Sequence, residues 1–314
     1  MRNLFFAFAV LFAMSTVFVS CSSDDETPAP VVEIYAEADT DDPYTYAFSA
    51  VAQYVDEYNW DFGDGNVSVE GAPKHTFEQS GTYTITLTAK GGGGEVIATK
   101  DIEILASIEE LLSGGSALAN GKTWKLSKVA TTAYDGVGNV NADFLNDVMP
   151  GADNMLDVIG LPDEWDNEYT FVYDGNYSIN NGNQNVLAGW IYSSYELGHD
   201  QIVNTTPYGV FQVKHTAPTN AKWSFNDQKD LVLDVANDDG QGGAIEESIT
   251  LNPDKYLGYI EFQNGGFIGV QDYVSTAIIR EITSERMVLT VIIYSNEAMI
   301  TKPSILITVS FDAK

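Results

Sequence analysis

Tyr58-Asn59-Trp60-Asp61-Phe62-Gly63-Asp64-Gly65-Asn66, followed by His75-Thr76-Phe77 and Gly81-Thr82-Tyr83-Thr84-Ile85-Thr86-Leu87-Thr88, decides the fold of the N-terminal part of this chain. The last run alternates for eight residues, which puts Tyr83, Ile85 and Leu87 on one face of a strand. Asp64-Gly65 is a tight-turn signal, and Asp61 and Asp64 are suited to turn formation through side-chain to backbone bonds. Trp60 and Phe62 are expected in the core. Upstream, Val31, Tyr35, Tyr46, Phe48, Val51 and Tyr54 sit among polar residues in strand-like runs. Downstream, Gly91 to Gly94 makes a hairpin loop and Glu95 to Leu105 returns as a strand.

Ser107-Ile108-Glu109-Glu110 is a capping box opening one short helical turn, which Gly114-Gly115-Ser116 ends. Residues 107–119 are therefore a short connector, and a second strand-rich region fills 120–314. Its expected strands are 123–130, 168–173, 176–180, 186–192, 209–213, 221–225, 230–235, 245–250, 256–262, 273–282, 286–294 and 304–312. Turn signals such as Asp174-Gly175-Asn176 and Asn264-Gly265-Gly266 separate them. Many short strands with even punctuation imply an all-β sandwich of two sheets, jelly-roll-like. Residues 141–165 break the pattern: Phe144, Leu145, Val148, Met155, Leu156 and Ile159 lack the strand period, and a helical turn is expected at 142–149. Long loops on β scaffolds tend to carry function.

The residues WDFGDG, HTF and GTYTITLTA resemble the signature of the polycystic kidney disease (PKD) domain, over residues 31–106. The resemblance implies an immunoglobulin-like β-sandwich that serves as a spacer or presenter in extracellular bacterial proteins. An all-β chain of two sandwiches follows: a PKD domain, then a larger jelly-roll-like domain.

The first 21 residues bear on location. Met1-Arg2-Asn3 carries one positive charge, Leu4 to Val19 is apolar and uncharged, and Ser20 precedes Cys21. This is the pattern of a secretory signal, residues 1–20. Cys21 is the only cysteine in the chain, so it has no disulfide partner. It resembles the lipobox cysteine of bacterial lipoproteins, and the acidic run Asp24-Asp25-Glu26 resembles the surface-export signal of Bacteroidetes lipoproteins. The resemblance implies acylation at Cys21, a tether over 21–30 and an outer-membrane anchor facing the medium. The alternative is an ordinary secretory signal with an incidental cysteine.

With 45 acidic and 15 basic residues the chain carries a formal charge of −30, which argues against nucleic acid and polyanionic ligands. His75, His199 and His215 show no metal-binding spacing. No GxSxG, HExxH, cysteine nucleophile or P-loop is present, so an enzyme is not expected. Glu246-Glu247 and Asp163-Glu164 are neighbouring carboxylates, but adjacent strand residues point to opposite faces. Asp234, Asn237, Asp238 and Asp239 supply clustered oxygens that would suit a structural calcium ion; the competing and preferred reading is a solvated acidic turn.

The aromatic content is more informative, with 17 tyrosines and 5 tryptophans. Sugar rings present flat C–H faces that stack on such rings. Trp190 and Tyr192 would share one face of a strand, with Tyr195 beyond it. Trp165, among Asp163, Glu164, Asp166 and Asn167, is expected to be exposed, and Tyr134 sits in a polar, Gly-rich loop. Trp124, Trp223, Tyr173 and Phe225 are expected in the core, a reading that also competes for Trp190 and Tyr192.

The chain as a whole resembles the surface glycan-binding lipoproteins of Bacteroidetes polysaccharide-utilisation systems. The runs Gly121-Lys122-Thr123-Trp124-Lys125-Leu126, Gly265-Gly266-Phe267-Ile268-Gly269 and Glu285-Arg286-Met287-Val288-Leu289 are similar to segments of such proteins. The resemblance implies capture of a polysaccharide at the outer membrane for a SusC/SusD-type uptake complex. The acidic surface favours a neutral β-glucan such as laminarin, ahead of xylan or mannan. Two other classes stay open: a glycoside hydrolase or lyase, and a structural or adhesive surface protein.

Overall fold

The computed structural model describes residues 27–40, 42–143, 149–227, 230–239, 241–295 and 300–314. The signal expected at 1–20, Cys21, and most of the helical turn expected at 142–149 lie outside the described residues. The chain divides into two compact units, one holding the N-terminal residues through His75 with Tyr83–Ile102, the other Thr76–Thr82 with Glu103–Lys314. No helix among the described residues is long and apolar enough to cross a membrane.

The N-terminal unit is built on two antiparallel sheets. Val31–Ala38 pairs with Thr45–Gln53, and Glu57–Asp61 pairs with Val67–Ser68 and with the long strand Gly81–Gly91, itself beside Gly94–Ile104. The alternation read from the sequence holds: Ile85, Leu87 and Ala89 are buried while the threonines between them are less so. Trp60 is fully buried, and its indole donates to Glu70 O at 2.9 Å. The turn acts as expected. Asp61 accepts from Gly63 N at 2.9 Å and Asp64 from Asn66 N at 3.0 Å. Asp64 also meets His75 Nε2 at 2.6 Å. Burial pushes the Asp64 carboxyl up, but the His75 and Asn66 contacts together outweigh that and hold it below the usual range.

In the C-terminal unit, Ser107 caps the helix Ile108–Ser113 by accepting from Glu110 N at 3.1 Å, and Gly114 closes it at φ +81°. Leu112 of this helix is buried, and its carbonyl accepts from the Trp124 indole at 2.8 Å. Lys122 lies over the same indole, 4.3 Å from the ring centre. Gly121 sits at φ +71°, where a Cβ would stand 2.2 Å from Phe171 O.

The main sheet runs Tyr177–Asn180, Glu168–Phe171, Lys122–Leu126, Ile305–Ala313, Arg286–Ile293, Thr276–Ile282, Gly258–Gln263 and Lys222–Asn226, with Gly136–Asn139 and Met149–Pro150 attached at Ile305–Ala313. These pairs are antiparallel. The sheet curls until its ends meet: Asn176 bridges Lys222, Tyr177 N donates to Ala221 O at 3.1 Å and Trp223 N to Gly175 O at 3.0 Å. A second sheet orders Ile202–Asn204, Val210–Lys214, Asn185–Gly189 and, in parallel, Val270–Gln271. Its Val186, Leu187 and Val213 share one core with Trp124, Tyr169, Phe171, Trp223 and Phe311 of the main sheet. This is the large β-sandwich that the strand pattern predicts.

The hairpin Val232–Asp238 with Ala244–Thr250 supplies a smaller core that includes Val235, Ile278, Ile292 and Leu306. Strand Arg286–Ile293 thus has both faces covered, which explains its unbroken apolar run.

Each of the twelve expected C-terminal strands is present, shifted at its ends. Tyr173 departs from expectation. The strand ends at Phe171, so Tyr173 falls in the turn before Asn176 and is 50% exposed rather than core. Trp124 and Trp223 are buried as expected, and Phe225 is half-buried.

Candidate functional site: a tyrosine patch beside a buried carboxylate

The run Val186–Tyr192 reads as one strand, but the strand stops at Gly189. Ala188 pairs with Gln271, so Gly189 lies against Asp272; a Cβ on Gly189 would stand 1.9 Å from Asp272 Oδ2. The backbone then turns helical at Trp190 and continues as a π-helix over Tyr192–Leu197. Single π turns are uncommon and gather at functional sites. Trp190 and Tyr192 therefore do not share a strand face.

The π turn carries Tyr192 to Tyr273, with ring centres 5.0 Å apart and planes at 85°. Tyr273 meets Tyr294 in the same way, at 5.0 Å and 61°. Edge-to-face pairs of this kind hold rings rigidly. Tyr273 is 39% exposed, Tyr195 is 57% exposed, and Trp190 and Tyr192 are half-buried. Gln271 Nε2 donates to the Tyr192 hydroxyl at 3.4 Å.

Asp272 sits beneath the patch. Its side chain is buried, accepting from Tyr273 N at 2.7 Å and from Tyr294 N at 3.4 Å. Burial raises its carboxyl to about 7, and the two backbone bonds only partly oppose this. Burial, together with the charges of Glu196 and Asp272, also raises the Tyr192 and Tyr273 hydroxyls. Both phenols are therefore held as neutral donors. Flat apolar faces flanked by hydroxyls, an amide and a carboxylate suit a neutral polyhydroxyl ligand and oppose an anionic one.

Trp190, Tyr192 and Tyr195 thus gather on this turn. Trp165 and Tyr134 line other hollows. Trp165 is 7% exposed, against the expectation of exposure. The helical turn Pro162–Asp166 folds its ring into the main core, its indole donates to Asp157 Oδ1 at 2.9 Å, and the adjacent Asp163 and Asp166 face water. Glu164, next to it, is fully buried, accepting from Asn167 Nδ2 at 2.5 Å and Gln212 Nε2 at 2.7 Å. Tyr134 lies 5.2 Å from the Arg280 guanidinium, in a hollow shared with Asp143, Asp254 and Lys255.

The calcium cluster also takes another form. Asp234, Asn237 and Asp238 are on a strand rather than in a loop, so Asp234 and Asn237 face opposite sides. Asp234 accepts from Ser248 Oγ, Asn237 donates to Glu247 at 3.0 Å, and Asp239 accepts from Gln241 N and Gly243 N at 2.7 and 2.8 Å. Among the described residues no group of three or more His, Cys, Asp or Glu side chains is placed to hold a metal.

Tyr273, Tyr294, Asp272 and Gln271 were not legible as site residues. Tyr273 and Tyr294 stand at the ends of expected strands 273–282 and 286–294, and the available signal was an aromatic at each strand end.

Comparison with known proteins places part of this chain. Residues 27–105 match the PKD domain family. Collagenase ColA of Bacillus cereus is 46% identical over 41 residues, 13% of this chain and 4% of the collagenase. The chain therefore spans only a small fraction of that relative's length. The PKD1 domain of Vibrio anguillarum Epp covers 26% of this chain and is itself covered completely, at 25% identity and a TM-score of 0.24. A structure titled for the promiscuous specificity of carbohydrate-binding modules of the β-sandwich superfamily covers 92% of this chain at 13% identity, with a TM-score of 0.26. That score is too low to carry a fold or a ligand across. The PKD family match agrees with the turn chemistry and core of the N-terminal strands, and residues 27–105 form a PKD domain.

Proposed function

We propose that this chain is a cell-surface polysaccharide-binding lipoprotein, anchored through Cys21 and presenting a neutral β-glucan such as laminarin to an uptake complex in the outer membrane. The observation that carries the glycan reading is the rigid set of Tyr192, Tyr273 and Tyr294 beside buried Asp272. The exposed Glu196 and the charge of −30 support a neutral ligand over alginate, pectin or a sulfated glycan. The PKD domain suits a spacer, since its distinctive residues are occupied by core and turn contacts.

Tyr273→Ala and Tyr192→Ala, titrated with laminarin, xylan and mannan, test the site. By analogy with interface hot spots each should cost ~1–3 kcal/mol, roughly 5- to 150-fold in affinity. Tyr273→Ala should lower the melting temperature less than truncation of a fully buried ring such as Tyr169, because its ring is partly in water already. Full affinity in both variants would remove the patch from the site. New reducing ends during incubation with the intact protein would instead establish the hydrolase reading.

A further inference from the structure

A second hollow in the C-terminal unit has different chemistry. Its volume is about 310 Å³. One wall is Leu126, Val137, Ile307 and Val309 of the main sheet. The 151–165 excursion supplies Met155, Leu156, Ile159 and Trp165, and Leu187, Val210 and Val270 form the opposite side. Val158, 72% exposed, and Tyr208, 46% exposed, stand at the solvent edge.

One corner is polar. Asp135 lines the hollow with Ser310 and Thr308. Its Oδ2 accepts from Thr131 N at 3.0 Å and its Oδ1 from Ser310 Oγ at 2.9 Å. A carboxylate has about four acceptor sites, so capacity is left for a donor from the cavity. A concave apolar site with a few convergent polar groups is the usual form of a small-molecule site. Polysaccharide does not suit it, because each ring hydroxyl buried against Leu156 or Val210 would lose its hydrogen bonds to water.

We propose that this cavity binds a small, mainly apolar molecule that carries one hydroxyl and no negative charge. At a liquid share of about 30 Å³ for a water-sized group, about ten non-hydrogen atoms fill it. The chain packs along Leu126, Leu187, Val210 and Ile307, and the hydroxyl donates to Asp135. A fatty-acid carboxylate in the same corner would meet the like charge of Asp135, which the nearby Arg286 guanidinium offsets in part. The proposal is independent of the glycan reading, because the two sites use different residues.

The probe is 1-decanol, titrated into the intact protein by calorimetry, with decanoate at about pH 8 beside it. Saturable 1-decanol binding without decanoate binding is expected. Val210→Phe, which fills the cavity, should weaken 1-decanol about tenfold or more by building a clash into the site. Should that variant fail to fold, Val158→Glu at the exposed rim leaves the core intact and should weaken binding about threefold or more by placing a charge where the apolar chain enters. Absence of saturable 1-decanol binding overturns the site. Unchanged affinity in Val158→Glu and in any folded Val210→Phe also overturns it, and decanoate binding equal to that of 1-decanol overturns the role given to Asp135.

Discussion

Asp272 shows how one residue joins the fold to the candidate site. Its carboxyl is taken out of water between Gly189 and the tyrosine patch, and two backbone N–H groups hold it there. Its folded value of about 7 lies above the ~3.9 of an unfolded aspartate. The folded state then binds the proton more tightly, so this group's stabilising contribution is complete below about pH 4 and is lost as pH rises to about 7. Asp272→Asn removes that titration and keeps one acceptor. Its melting temperature should rise relative to the parent between pH 4 and pH 8; a constant difference across that range would show that Asp272 is not the titrating group. Trp165 and Tyr173 show the limit of reading single residues. Charged neighbours suggest an exposed Trp165, yet a tight helical turn places its ring and Glu164 inward while Asp163 and Asp166 face out. Tyr173 continued an apparent alternation, yet the strand had ended two residues earlier. Exposure depends on where an element stops, which neighbouring residues record weakly.

Elements were more legible than their ends. The alternation of apolar residues and the Gly, Asn and Asp turns marked the strands of both units, because those signals are local. The π turn after Gly189 was not marked: Val186 to Tyr192 is apolar and aromatic enough to continue as a strand. The last strand residue, Gly189, lies against Asp272, 83 positions on in the sequence. Gly189→Ala tests how tight that contact is. A Cβ at 1.9 Å from Asp272 Oδ2 cannot be accommodated without a shift, and forcing an extra methyl group into such a contact typically costs ~1–3 kcal/mol. The variant should melt earlier and bind laminarin more weakly, since the carboxylate it displaces also fixes Tyr273 and Tyr294. A melt equal to that of the parent would mean that the space between Gly189 and Asp272 admits a methyl group. The joining of Lys122–Leu126 to Ile305–Ala313 was equally invisible, because it pairs strands from the two ends of one region and no turn links them.

At the scale of the molecule, the division of labour follows from where the uncommitted chemistry lies. In the PKD domain the signature residues are occupied: Trp60 and Phe62 are buried, and Asp61 and Asp64 hold the turn. In the C-terminal unit the tyrosine patch leaves ring faces and hydroxyls in water. That unit has its own core, its own capped helix and a main sheet whose edges meet, so it has what an independent domain needs. Thr76–Thr82 and residues 103–106 also belong to this unit, but its two hydrophobic cores are drawn from residues 108–313, so residues 107–314 alone should fold and bind laminarin with the affinity of the whole chain, within about threefold. The PKD domain alone should fold and not bind. On cells the two parts should matter differently. Cys21→Ala should release the protein from the membrane fraction without changing its affinity in solution, whereas Tyr273→Ala should leave it anchored and accessible to protease but unable to retain the glucan. Membrane association that persists in Cys21→Ala would remove the lipid anchor from this account. Loss of laminarin binding by 107–314, with its fold intact, would remove the tyrosine patch as the glucan site.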